Sequence, residues 1–189
     1  MKAKNVYIIS GSNGSGKTTF ARKFLPNYAK CPNFVNADLI AQGLSPFSPR
    51  QSAMKAGRLV LEQIKQLADK NVDFGFETTL SGRTYLRTFQ FLKEKGYKLH
   101  LFFLWIPGSQ LAIERIKDRV LEGGHHVPTQ DVRRRFKRSI YNFFNLYEPL
   151  LDAWTIFNNS GPVPTLMAKR TNGKVLIIDE KLYNKIKEN

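Results

Sequence analysis

The sequence predicts a three-layer α/β/α fold, a mainly parallel five-stranded sheet between helices with a C-terminal β-hairpin, on three observations. Apolar runs alternate with amphipathic stretches over the first 160 residues, the pattern of parallel strands joined by crossover helices. A glycine-rich turn, GSNGSGKTT at 11–19, separates the first apolar run from the first amphipathic stretch. Near the end, Asn172-Gly173 divides two short runs, and that dipeptide suits the tight primed turn of a hairpin.

Strands are expected at 6–10, 33–36, 72–76, 98–106 and 154–157, where β-branched and aromatic residues cluster. Helices are expected at 17–29, 49–69, 82–95, 109–121 and 129–147, each with apolar residues at three-to-four spacing. In the second of these, Met54, Leu59, Ile64 and Leu67 are expected to help form the buried stripe. The hairpin follows at 165–170 and 175–178. Residues 1–189 fit one domain, with a lid region at about 115–138 and a hairpin and tail at about 161–189.

Composition narrows the class. With 42% hydrophobic and 12% aromatic residues, no long stretch reads as disordered. One cysteine, Cys31, excludes an intramolecular disulfide framework and reads as a packing residue. The longest apolar stretch, 99–107, is about half of the roughly 20 residues that a membrane-spanning helix needs. The apolar run after Lys2 and Lys4 is too short for a signal peptide. A cytoplasmic protein with no membrane partner is therefore expected. Thirty Lys and Arg against fifteen Asp and Glu give a net charge of +15, a field that attracts anions without choosing among nucleotide, nucleic acid and acidic protein.

The glycine turn is more specific. Gly11, Gly16, Lys17 and Thr18 fit G-x-x-x-x-G-K-[ST], with a strand before and a helix after. Glycines let successive N–H groups curl inward around an anion, the helix N-terminus adds positive potential, Lys17 bridges the outer phosphates and Thr18 ligates Mg²⁺. The ATP-binding candidates are thus Gly11, Ser12, Asn13, Gly14, Ser15, Gly16, Lys17, Thr18 and Thr19, with ATP and Mg²⁺ as cofactors. Leu80-Ser81-Gly82 and the run from Val175 to Glu180 suggest a transporter ATPase. Their order fails that reading, because about a hundred residues separate them and the second run lies in the hairpin.

Further segments carry a resemblance. VNADLIAQGLSP from Val35, FGFETTLSGR from Phe74, KGYKLHLFFLWIP from Lys95, ERIKDRVLEGGHHVP from Glu114 and RRRFKRSIYNFFNLY from Arg133, together with the phosphate loop, make the chain from about 6 to 160 similar to the zeta-toxin family of P-loop kinases. The resemblance implies bacterial origin and ATP-dependent phosphorylation of a nucleotide sugar, UDP-N-acetylglucosamine, on its sugar 3′-hydroxyl. It also implies a toxin–antitoxin setting, in which a small acidic antitoxin covers the ATP cleft.

Residue by residue, the family places its catalytic base at Asp38. The local reading agrees that a carboxylate at the carboxyl edge of the sheet can take a hydroxyl proton, and it leaves open a helix N-cap instead. Glu77, Thr78 and Thr79 end the third strand at the same edge, as substrate contacts, with Glu77 joining Thr18 at the metal. Thr79 or Ser81 capping the next helix is the plainer alternative. Arg83, one turn on, meets a diphosphate or solvent.

Arg115 and Arg119 share one helical face and can clamp β- and γ-phosphates. Arg134 and His125 are further ATP-binding candidates, and the glycines before His125 read as a lid hinge. The sequence departs from the family at His125, near a position where better-studied members carry arginine. Tyr141, Phe143, Phe144 and Tyr147 are expected to pack in the core. The charge keeps a second class in view, a nucleic-acid-associated ATPase or polynucleotide kinase. A kinase of another small molecule is the third reading.

Overall fold

In a computed structural model that describes residues 3–45, 49–124 and 126–188, the alternating pattern becomes one seven-stranded sheet. Its strands are β1 (Lys4–Ser10), β2 (Phe34–Val35), β3 (Phe74–Thr78), β4 (Tyr97–Trp105), β5 (Ala153–Asn158), β6 (Thr165–Thr171) and β7 (Lys174–Ile177). They lie in the order β2-β3-β1-β4-β5-β6-β7, the first five parallel and the last two antiparallel. The five parallel strands are those the sequence predicts. The hairpin adds two more to the same sheet, because β6 pairs with β5 and does not stand apart as a tail. Asn172 and Gly173 both have positive φ, 52° and 74°, as a two-residue primed turn requires.

Helices cover both faces, since alternate side chains of β1 and β4 are buried on opposite sides. Tyr7, Ile9, Phe102 and Leu104 pack on α1 (Lys17–Asn27) through Phe20, Ala21, Phe24 and Leu25. Val6, Ile8, Leu99, Leu101 and Phe103 face the larger core, which α3 (Pro49–Asp69), α4 (Thr84–Glu94), α6 (Thr129–Asn142) and α7 (Glu180–Lys187) help to close. Between them in the chain come α2 (Ala37–Leu44) and α5 (Ser109–Leu121). After α6 the chain widens into a π turn at Phe143–Tyr147.

The buried stripe of α3 differs from the expected one. Ala56, Val60, Ile64 and Ala68 form it, at strict four-residue spacing, while Met54 is 80% exposed and Leu59 and Leu67 are only half-buried. Small alanines at both ends of the stripe are wholly buried. Cys31 packs in the α1 core, as expected, where burial pushes its thiol pKa up. Phe143 and Tyr147 are wholly buried, whereas Tyr141 is exposed on the outer side of α6. Among the described residues no helix is long and apolar enough to cross a membrane.

Candidate active site

The loop between β1 and α1 is built around glycines that no other residue can replace without movement. Gly11, Gly14 and Gly16 have φ of 138°, 73° and 84°, a region that side chains disfavour. A Cβ on Gly11 would lie 2.4 Å from the Leu104 carbonyl oxygen, and one on Gly14 2.6 Å from that of Ala112. Ser12, Asn13 and Ser15 are nearly wholly buried in this cradle, and the Ser15 Oγ has no hydrogen-bond partner there. A buried hydroxyl with an unused proton beside a helix N-terminus fits a phosphate oxygen. Lys17 is buried too, its Nζ donating to the Ser12 carbonyl at 2.8 Å. Thr19 follows inside the first turn of α1.

Three parallel strands converge on the same edge and bring Glu77 to Lys17. Glu77 Oε2 accepts from the Thr18 hydroxyl at 2.8 Å and from Asn36 Nδ2 at 2.7 Å, while Oε1 stands 3.8 Å from Lys17 Nζ. A hydroxyl and a carboxylate in contact beside a phosphate cradle are the donor set with which Mg²⁺ is usually held alongside water and nucleotide oxygens. The residues present therefore fit both ATP and a divalent cation, Thr18 and Glu77 being the protein's contribution to the latter.

Burial drives Glu77 above its ordinary pKa, and the Lys17 charge and the Thr18 hydroxyl pull it back. Burial likewise drives Lys17 down, opposed by Glu77 and Asp38 and reinforced by Arg119 and Arg135. The folded chain thus holds the Glu77 proton more tightly than the unfolded chain does. That contribution to stability is full below the ordinary value of 4.5 and is lost as pH rises through the folded value. Cation binding needs the anion and so runs the other way. In thermal melts, ligand-free wild type should lose stability relative to Glu77→Gln as pH rises, while protection by Mg²⁺·ATP grows. A pH-independent difference would overturn this.

Asp38 is exposed in the first turn of α2, its charge felt by both Lys17 and Glu77. It is not the cap of that helix. Asn36 is, its Oδ1 accepting from the Asp38 and Leu39 backbone N–H groups at 2.8 and 3.1 Å while its amide holds Glu77. One asparagine therefore holds the Glu77 carboxylate and the Asp38 backbone, and the Asp38 carboxylate is left outside the capping interaction.

On β3, Thr78 is buried and its hydroxyl accepts from Leu80 N–H, while Thr79 and Ser81 share a hydroxyl contact of 2.8 Å. Neither Thr79 nor Ser81 caps α4, whose N-cap position is Arg83, an exposed residue without a side-chain cap bond.

The basic residues separate by helical phase. Arg115 donates both terminal nitrogens to the Asn159 and Ser160 carbonyls at 2.9 Å, bracing the loop after β5. Asn159 in turn donates to the Ser15 carbonyl at 2.7 Å, a site contact that sequence reasoning missed. Arg119, half-buried, is close enough for its charge to depress the Lys17 pKa, and so is Arg135, which sequence reasoning passed over for its neighbour. Arg134 is 49% exposed and pairs with Asp131 at 2.7 Å. Gly123, with φ of 84°, ends α5, and the Gly124 N–H returns to the Arg119 carbonyl at 2.8 Å, a Schellman closure that sets the end of the arginine-bearing helix. His125 lies outside the described residues.

The family model described as Zeta toxin matches residues 48–181. A Haemophilus influenzae protein described as uncharacterized is 32% identical over 126 residues, 67% of this chain and 88% of that protein. Among solved structures, the AvrRxo1-ORF1:-ORF2 complex with ATP superposes with a TM-score of 0.82 at 20% identity, over 98% of this chain and 64% of that one. This chain thus spans less than two thirds of that protein's length. The PezAT chromosomal toxin–antitoxin system of Streptococcus pneumoniae gives a TM-score of 0.63 at 18% identity, over 87% of this chain and 72% of that one. At these identities the solved structures show a shared fold.

Proposed function

The chain belongs to the zeta-toxin family, and from that premise, which supports a P-loop phosphotransferase, we propose that it transfers the γ-phosphoryl group of ATP to a hydroxyl of a nucleotide sugar such as UDP-N-acetylglucosamine. One observation carries the reading. A phosphate cradle, a lysine and a hydroxyl–carboxylate pair meet at the ends of three strands, with a second carboxylate, Asp38, exposed beside them.

In this mechanism the loop N–H groups and Lys17 hold the β- and γ-phosphates, and Thr18 and Glu77 would hold Mg²⁺, which when bound would supply charge neutralisation. Asp38 takes the proton of the attacking hydroxyl as the new O–P bond forms and the bond to ADP breaks. Its exposure suits that role, since a bulky acceptor must reach it. Glu77 is poorly placed to substitute, because Thr18 and Asn36 both engage its Oε2 and its Oε1 faces Lys17. Arg119 and Arg135 meet the spreading charge of the transferring group, and Arg115 acts through the loop it braces. Thr78, Thr79 and Arg83 line the acceptor side.

We extend the reading to a partner. One solved neighbour is a complex of AvrRxo1-ORF1 with -ORF2 and another belongs to a toxin–antitoxin system, and the +15 charge of this chain suits an acidic antitoxin. A cytoplasmic setting accords with ATP as phosphoryl donor.

Incubation with Mg²⁺·ATP and a panel of UDP-sugars, read by mass spectrometry, tests the function. One added phosphate on UDP-N-acetylglucosamine is the expected result. ATP binding without any phosphorylated sugar would overturn the acceptor, and turnover stimulated by RNA or DNA with a steep salt dependence would favour a polynucleotide substrate instead.

A further inference from the structure

The loop that follows Glu77 is held in an unusual way. Between β3 and α4 it runs through Leu80 at a φ of 54°, the left-handed region that a branched side chain adopts only when its surroundings impose it. Those surroundings are three side chains from one segment. Ser139 Oγ donates to the Thr79 carbonyl at 2.6 Å, Asn142 Nδ2 to the Leu80 carbonyl at 2.7 Å and the Tyr147 hydroxyl to the Gly82 carbonyl at 2.6 Å. All three donors are buried.

Their placement is not what an amphipathic helix needs for packing alone. Serine and asparagine are poor choices inside a helix, yet both occupy the buried face of α6. Arg135, Ser139 and Asn142 fall at i, i+4 and i+7, one stripe of that helix. Continued as an α-helix, Tyr147 would stand roughly 80° away from Ser139. The π turn at Phe143–Tyr147 rotates more slowly per residue and returns Tyr147 toward the stripe. The stripe that begins with an arginine felt by Lys17 therefore continues as a ladder of donors to the loop behind Glu77.

We propose that Ser139, Asn142 and Tyr147 are positioning residues for phosphoryl transfer, tying the acceptor loop at 79–83 to the helix that carries Arg135, so that acceptor and transferring group are held by one rigid body. The proposal rests on the reading above that this loop meets the acceptor. Displacement of α6 carries the loop with it, and the reacting hydroxyl then loses its alignment while the nucleotide stays bound.

Ser139→Ala and Tyr147→Phe each remove one hydroxyl, and Ser139→Thr keeps it. Two readouts are needed, amide hydrogen exchange over 79–83 and the division of γ-phosphoryl between UDP-N-acetylglucosamine and water. In both deletions exchange should quicken and the sugar's share at saturating sugar should fall about tenfold, the worth of one net hydrogen bond, through a lowered kcat for transfer to the sugar. Affinity for a fluorescent ATP analogue should be little changed, and Ser139→Thr should recover the sugar's share. A sugar share that stays at the wild-type level, or that falls only in step with nucleotide affinity, overturns the proposal. If wild type phosphorylates no nucleotide sugar, the acceptor reading fails separately. The exchange arm then decides the tie, and unchanged exchange at 79–83 in both deletions overturns it.

Discussion

Asp38→Ala should slow phosphoryl transfer by about two to four orders of magnitude, the usual worth of a general base, while ATP binds nearly as before. The split follows from the geometry. The Asp38 side chain is exposed and takes no part in capping α2, a task that Asn36 performs, so its removal should leave the helix and the phosphate loop in place. Asp38→Asn is the sharper form, because it keeps the shape and removes only the proton acceptor. Single-turnover transfer rates beside equilibrium titration of a nucleotide analogue make the comparison. Equal losses of transfer and affinity would show that Asp38 only shapes the cleft, and full activity in both variants would remove it from the mechanism.

Arg119→Ala and Arg135→Ala should each lower the transfer rate by about three to five orders of magnitude if they serve as arginine fingers, and Arg134→Ala should cost far less. The two are singled out because their charges reach Lys17, whereas Arg134 is turned to Asp131 at the surface. Lysine at either position keeps the charge and loses the planar fork, so Arg119→Lys and Arg135→Lys should recover only part of the rate. Losing Arg115 should act differently. Its guanidinium holds the Asn159 and Ser160 carbonyls, and Asn159 supports the Ser15 carbonyl, so the first effect expected is weaker nucleotide binding. A larger loss of transfer in Arg134→Ala than in Arg135→Ala would reverse the assignment.

Much of this was legible in the sequence because it is local. The phosphate loop, the ends of α5 and the Asn172-Gly173 turn are each written in a few adjacent residues, and the structure places them as read. The resemblance supplied the family, which the matching family model shows. What escaped depends on phase and distance. Four arginines lie between 133 and 138, and only the packing of Val132, Ser139 and Ile140 selects which of them turns inward. Asp38 and Asn36 are both good caps, and which one caps is settled by the strand that ends just before them. Asn159 meets Ser15 across 144 residues with no motif to announce it. In α7, Asp179 accepts from the Leu182 N–H as an N-cap, so the Asp-Glu pair that closes the run from Val175 begins a helix.

The hairpin that extends the sheet has a consequence for the protein's solubility. Without β6 and β7, the border of the sheet would be β5, six residues with Trp154 and Ile156 among them, an open template on which a second chain could polymerise. With them, the two borders are β2, two residues long, and β7, four residues opened by Lys174. Borders so short, one of them headed by a cation, offer few unpaired amides to a foreign strand, and the hairpin thereby shields the longer edge of β5.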